Sequence, residues 1–166
     1  MSAVAVLTLV HTAISLIGIC SGLGVVALML EGRDNPGWTG VFLVTTVLTS
    51  ASGFLFPFPR LLPSHVVGVV SLVVLAVVLY ARYGRAEEGR WAQVFVIGSV
   101  LALWLNGFVL VAQLFAKIPA LHDLAPTQSE PPFGVTQLAV LAVFIVLGFK
   151  AARRARTTAP AARPAM

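Results

Sequence analysis

Charge is what this 166-residue chain has least of. Only 10% of its residues are Asp, Glu, Lys or Arg, against 58% hydrophobic residues, and its mean hydropathy is +0.96. A soluble domain carries about 25% charged residues, so this chain lacks the polar surface to cover itself in water. It has one cysteine, Cys20, which excludes an intrachain disulfide; within an apolar run it is expected to act as a small buried hydrophobe. Several signatures are missing as well. There is no glycine loop to cradle phosphate, no Cys-x-x-Cys, no His-Glu-x-x-His and no Ser-His-Asp set of matched exposure, so no catalytic group is assigned and enzyme status stays open. No apolar run has an ionised residue at its centre, which argues against a proton-coupled pump or ion transporter.

What is present is apolar length. Five runs stand out, at about residues 3–30, 39–56, 65–81, 91–116 and 133–149. A helix needs roughly 17–25 apolar residues to cross the hydrocarbon core, so each run is expected to span, the first with tilt or overhang. Run length and the absence of two-residue alternation select helices over strands. The expected fold is an all-α integral membrane bundle of five transmembrane helices, forming one domain over residues 1–156, with residues 157–166 as a disordered cytoplasmic tail. The first run has no basic residue ahead of it and is too long for a signal peptide, so it is expected to stay as a span.

Net charge is +5 and the pI about 10.4, but the excess sits largely in the tail, which points to membrane orientation and away from nucleic acid. With five spans, Arg33, Arg82, Arg85, Arg90, Lys150, Arg153, Arg154, Arg156 and Arg163 share one side, and only Arg60 and Lys117 the other. The positive-inside bias then predicts N-out and C-in topology in a bacterial inner membrane. Trp38, Trp91, Tyr80 and Tyr83 fall at the inner ends, as interfacial rings do.

Between the runs, Asp34-Asn35-Pro36-Gly37 marks a turn, and Pro57, Pro59 and Pro63 stiffen another. Glu87 and Glu88 are expected to be solvated. Pro131 and Pro132 suit the first turn of a helix, where a missing N–H costs nothing. Glu130 just before them has two readings: a cap for the first free N–H groups, or a proton-accepting carboxylate beside a cavity. The pair Gly18 and Gly22 forms a GxxxG that allows close helix approach, either inside the chain or to a second copy or other membrane partner.

Polar residues of the spans favour the outer half. They include His11, Thr12, Ser15, Thr49, Ser50, Ser52, Gln113 and Gln137, with Asn106 nearer mid-depth and His65 and His122 at the outer surface. Such groups must face partners or a wet cavity. One reading is an outward-facing small-molecule pocket bordered by Asn106, Gln113, Glu130 and Gln137. Under the other, Ser and Thr bond to their own helix carbonyls while Gln113 and Gln137 tie the fourth and fifth spans. His11 and His65 on different helices can clamp a haem b iron axially, with Gly18 and Gly68 leaving room for the macrocycle. Alternatively His11, His65 and His122 share a transition metal, or the histidines are helix ties or line a quinone pocket.

The segments 49–65 (TSASGFLFPFPRLLPSH), 106–113 (NGFVLVAQ) and 125–133 (APTQSEPPF) resemble those of small bacterial multi-pass membrane proteins, and the resemblance runs over most of the chain. It implies a polytopic inner-membrane protein and carries no functional residue over. Two functions from different classes follow: a haem- or metal-binding redox protein, and a non-catalytic scaffold or partner subunit that binds lipid or quinone. A neutral-solute carrier is disfavoured by the missing central polar path.

Overall fold

The computed structural model describes residues 2–56, 63–85 and 89–158, and every regular element among them is helical. The proline turn at 57–62, the Glu87–Glu88 pair and the tail from 159 onward lie outside the described residues. The elements are α1 (Ala3–Glu31), α2 (Pro36–Ser52), a 3-10 turn (Gly53–Leu55), α3 (Pro63–Leu79), a π-helical turn (Tyr80–Gly84), α4 (Arg90–Lys117), the single-turn α5 (Pro119–His122) and α6 (Pro131–Thr158). Five helices are long and apolar enough to cross a membrane: α1, α2 with its 3-10 extension, α3 with its π turn, α4 and α6.

The ends of these helices follow local chemistry. Ser2 caps α1 by accepting from the Ala5 N–H at 3.2 Å. Gly32 ends it in the left-handed region (φ 70), so that its N–H reaches Met29 O at 3.1 Å and the Arg33 N–H reaches Leu28 O at 2.9 Å. That crossed pair satisfies carbonyls a helix end would otherwise leave bare. Asn35 then starts α2, its Oδ1 accepting from Gly37 and Trp38 N–H at 3.1 and 3.2 Å, with Pro36 in the first turn. The turn expected at residues 34–37 is thus an Asn cap. Pro131 and Pro132 open α6 as expected. That helix runs well beyond its apolar stretch, so Lys150, Arg153, Arg154 and Arg156 ride on its last turns.

The antiparallel order is fixed by contacts at both ends. At the end holding the α1–α2 turn, Arg82 Nη2 pairs with Asp34 Oδ2 at 2.7 Å, and its guanidinium lies 5.2 Å from the Phe95 ring centroid. This bond joins the α1–α2 turn to the end of α3, with Arg82 mostly withdrawn from solvent. At the other end, the start of α1 meets the end of α2 through His11 and Ser52.

α4 packs against α1, α2, α3 and α6, and α1 packs along α2. The innermost side chains are Phe42, Leu43, Leu75, Val78 and Leu103. Since lipid tails are as apolar as these residues, close packing and interhelical hydrogen bonds, more than burial from water, must hold the helices together. The glycines of α1 show how. A Cβ on Gly22 would stand 2.7 Å from Leu103 Cδ1 and 2.8 Å from the Phe42 ring, and one on Gly18 would stand 3.1 Å from Thr45 Oγ1. The GxxxG face is therefore used inside the chain, where α2 and α4 press on α1. Cys20 departs from expectation: it is exposed on α1, turned away from the buried Gly18–Gly22 face.

Overpacking a tight core contact costs about 1–3 kcal/mol. Gly22→Val is expected to lower unfolding stability in detergent by that amount. Gly40, which has open space around its Cβ position, is expected to accept Ala with no loss and a gain of up to about 1 kcal/mol from helix propensity. Thermal unfolding followed by circular dichroism checks both.

Candidate functional site

The three histidines do gather at one end of the bundle, at the starts of α1 and α3 and in α5, but they do not form a cluster. Among the described residues no three His, Cys, Asp or Glu side chains stand close enough to hold a metal ion, so the shared site expected of His11, His65 and His122 is not assembled. His122 is exposed on α5. His11 and His65 meet the segment that closes α2. The His11 Nδ1 lies 2.8 Å from Ser52 Oγ, and its ring stands edge-on to Phe56 at 5.3 Å. His65, 6% exposed, packs its ring 5.7 Å from that of Phe54. Ser52 Oγ also lies 3.2 Å from Thr49 O. Either tautomer of His11 can make the bond to Ser52, with Nδ1–H donating to Ser52 Oγ or Nδ1 accepting from its hydroxyl, and both tie α1 to the end of α2.

The room expected for a macrocycle is filled by the chain itself. Beside Gly68 a Cβ would meet the Phe54 ring at 3.1 Å, and beside Gly18 it would meet Thr45. These glycines seat the protein's own side chains and do not form an open slot for a flat cofactor.

Several other polar groups of the spans are answered within their own helix. Ser15, Ser21, Thr45 and Thr136 donate to the carbonyl four residues back, at 2.6–2.8 Å. Ser15 Oγ also lies 3.4 Å from Thr49 Oγ1, across the α1–α2 contact. Near mid-depth, Asn106 Nδ2 approaches Thr46 Oγ1 at 3.5 Å, both groups buried. Gln137 on α6 donates to Phe108 O of α4 at 3.1 Å and so makes the tie expected of it. Gln113 does not: it is exposed on α4. Its place is taken by Gln128, whose Nε2 donates to Ala112 O at 2.7 Å from a left-handed backbone (φ 58). Three buried atoms have no hydrogen-bond partner among the described residues: Ser99 Oγ, Trp104 Nε1 and Gln137 Oε1.

Glu130 caps, but in the opposite direction from expectation. Its backbone carbonyl accepts from Phe133 and Gly134 at the start of α6. Its carboxylate reaches back into the preceding turn, where Oε1 accepts from Thr127 N–H and Oγ1–H at 3.2 and 2.9 Å and Oε2 accepts from Ser129 N–H at 3.0 Å. Desolvation acts to raise this carboxyl, and the hydrogen bonds from Thr127, Glu130 and Ser129 together outweigh it, leaving it below the usual glutamate range. A group so held is a turn fastener and, with its basicity lowered, a weaker proton acceptor than an ordinary glutamate.

The described cleft lies elsewhere. It is about 530 Å³, formed between α4 and α6 in the half of the bundle nearest the C-terminal tail. Ile97, Leu101, Phe144 and Ile145 give it apolar walls, Trp104 lies at its inner end, and Gln93, Arg153 and Arg156 stand at its mouth. None of Asn106, Gln113, Glu130 or Gln137 lines it. The site is thus a helical bundle with internal polar ties and an apolar, cation-edged cleft on its flank. No protein-family model, curated protein or solved structure matches the chain, so its function must be argued from this geometry.

Glu130 supplies a pH dependence with a definite sign. Its folded value lies below the ordinary value of 4.5, so the stability it contributes is fully present above that pH and is lost as pH falls through the lowered native value. Wild type is expected to lose thermal stability in that acid window more steeply than Glu130→Gln. Melting curves of both proteins from neutral pH down to about pH 3 measure the difference.

Proposed function

We propose that this chain is a non-catalytic membrane scaffold or partner subunit, built into a bacterial inner membrane with its N-terminus outside and its tail in the cytoplasm. The observation that carries the proposal is that His11, Ser15, Asn106 and Gln137 find their partners inside the bundle, across helix contacts. A redox or substrate site needs such groups turned toward a ligand, whereas here they hold α1 to α2, α2 to α4 and α4 to α6. The excess of Lys and Arg at the tail end supports the orientation.

Under this reading the purified protein is colourless and free of stoichiometric metal, even when haem is supplied during expression. His11→Ala lowers its melting temperature and changes no visible spectrum. Reporters fused after Arg156 and within residues 117–132 report opposite sides of the membrane. A Soret band that shifts on dithionite reduction and disappears in His11→Ala or His65→Ala would overturn the scaffold reading in favour of a haem protein. Reporters on the same side would overturn the topology.

A further inference from the structure

We infer that the α4–α6 cleft is a binding site for one acyl chain of an anionic phospholipid, with Arg153 and Arg156 holding the phosphate of its headgroup. The inference stands whether or not the chain carries a cofactor elsewhere, because it uses none of the residues at the histidine end.

Three features of the cleft converge on this occupant. The first is its floor. A Cβ on Gly148 would come 3.3 Å from Val100 Cγ1, so the absence of one lets α6 close onto α4 at this point of the cleft. Ile97, Ile145 and Phe149 on its walls are more than half exposed, so the cleft opens to the bundle's surroundings. In a membrane those surroundings are acyl chains.

The second feature is its length. Gln93 and Trp104 lie at opposite ends, about 16 Å apart at about 1.5 Å rise per residue. That is half of the roughly 30 Å hydrocarbon core, the depth of a single leaflet.

The third is charge, which is confined to one end. Arg153 and Arg156 follow each other by one helical turn, and the Arg153 guanidinium sits 4.5 Å over the Phe149 ring, itself a wall of the cleft. A ring beneath a guanidinium steadies it and leaves its edge donors free. Among the described residues, no carboxylate lies within salt-bridge distance of either arginine. The planar fork matches two phosphate oxygens, and a headgroup without an ammonium adds no competing cation. α6 is also the least buried of the five spanning helices, so this flank is open to lipid along its length.

Trp104 provides the readout. The chain has three tryptophans, and Trp38→Phe with Trp91→Phe leaves Trp104, at the inner end of the cleft, as the sole tryptophan, excited selectively over the two tyrosines at the red edge of the absorption band. This protein would be placed in phosphatidylcholine nanodiscs that contain increasing fractions of phosphatidylglycerol with brominated chains, or of phosphatidylcholine with the same chains. The brominated phosphatidylglycerol is expected to half-quench Trp104 at a roughly tenfold lower mole fraction, in keeping with two arginines acting on one anionic headgroup. Arg153→Gln with Arg156→Gln is expected to bring the two curves together, and Arg153→Lys with Arg156→Lys to keep part of the separation.

Coincident curves in the parent protein would overturn the inference, since lipid would then enter without regard to its headgroup. Absence of quenching by either lipid would overturn it too, and would assign the cleft to a second copy of the chain or a partner helix. The parent comparison decides even if the arginine variants do not fold.

Discussion

Hydrocarbon offers no partner to a hydroxyl, an amide or an imidazole, and the arrangement of this bundle follows from that. Each polar side chain in a span must bond to its own backbone, reach a neighbouring helix, or face water. Ser21 and Thr45 take the first course, returning to carbonyls of their own helices. His11, Asn106 and Gln137 take the second, and in doing so they fix helix pairs. Hydrogen bonds of this kind are individually modest in a membrane. Their effect here is on register: each bond works only when both helices hold one rotation and one depth.

Close packing supplies the rest. α4 touches all the other spanning helices, and α1 can approach it because Gly22 presents no side chain to Leu103. α6 stands apart in character. It is held by Gln137 at one end and by the Gly148 contact lower down, with much of its surface open. The cations of its last turns are spaced along a continuous helix, which is why two of them reach the mouth of the cleft. Basic residues near a helix C-terminus also suit the helix dipole, so the same arginines stabilise the end of α6 and present charge at the membrane surface.

The five long helices, the turn at residues 34–37 and the prolines at the head of α6 were legible in the sequence, because length, turn chemistry and proline geometry are local properties. What the sequence concealed was rotation. Helices this uniformly apolar have little difference between their faces, so no periodicity says which side turns inward. Cys20 and Gln113 proved exposed, and Gly68 makes room for Phe54 where a cofactor was expected. The pairing of Asp34 with Arg82 was hidden for another reason. Arg82 reads along the chain as an orientation signal, and only the meeting of two turns far apart in sequence gives it a partner. The Glu130 carboxylate was expected to cap the first N–H groups of α6 and instead fastens the turn before it, because whether a carboxylate reaches forward or back depends on turn geometry, which composition does not encode.

The claim on which this account depends is that polar groups inside the spans are structural ties, with the bond between His11 and Ser52 as its clearest case. A double-mutant cycle on His11→Ala and Ser52→Ala, read by unfolding in detergent, tests it most directly. The account predicts a favourable coupling of about 0.6 kcal/mol or more between the two sites, the scale of hydrogen bonds between membrane helices. Strictly additive losses would contradict it, because His11 and Ser52 would then be acting on something other than each other.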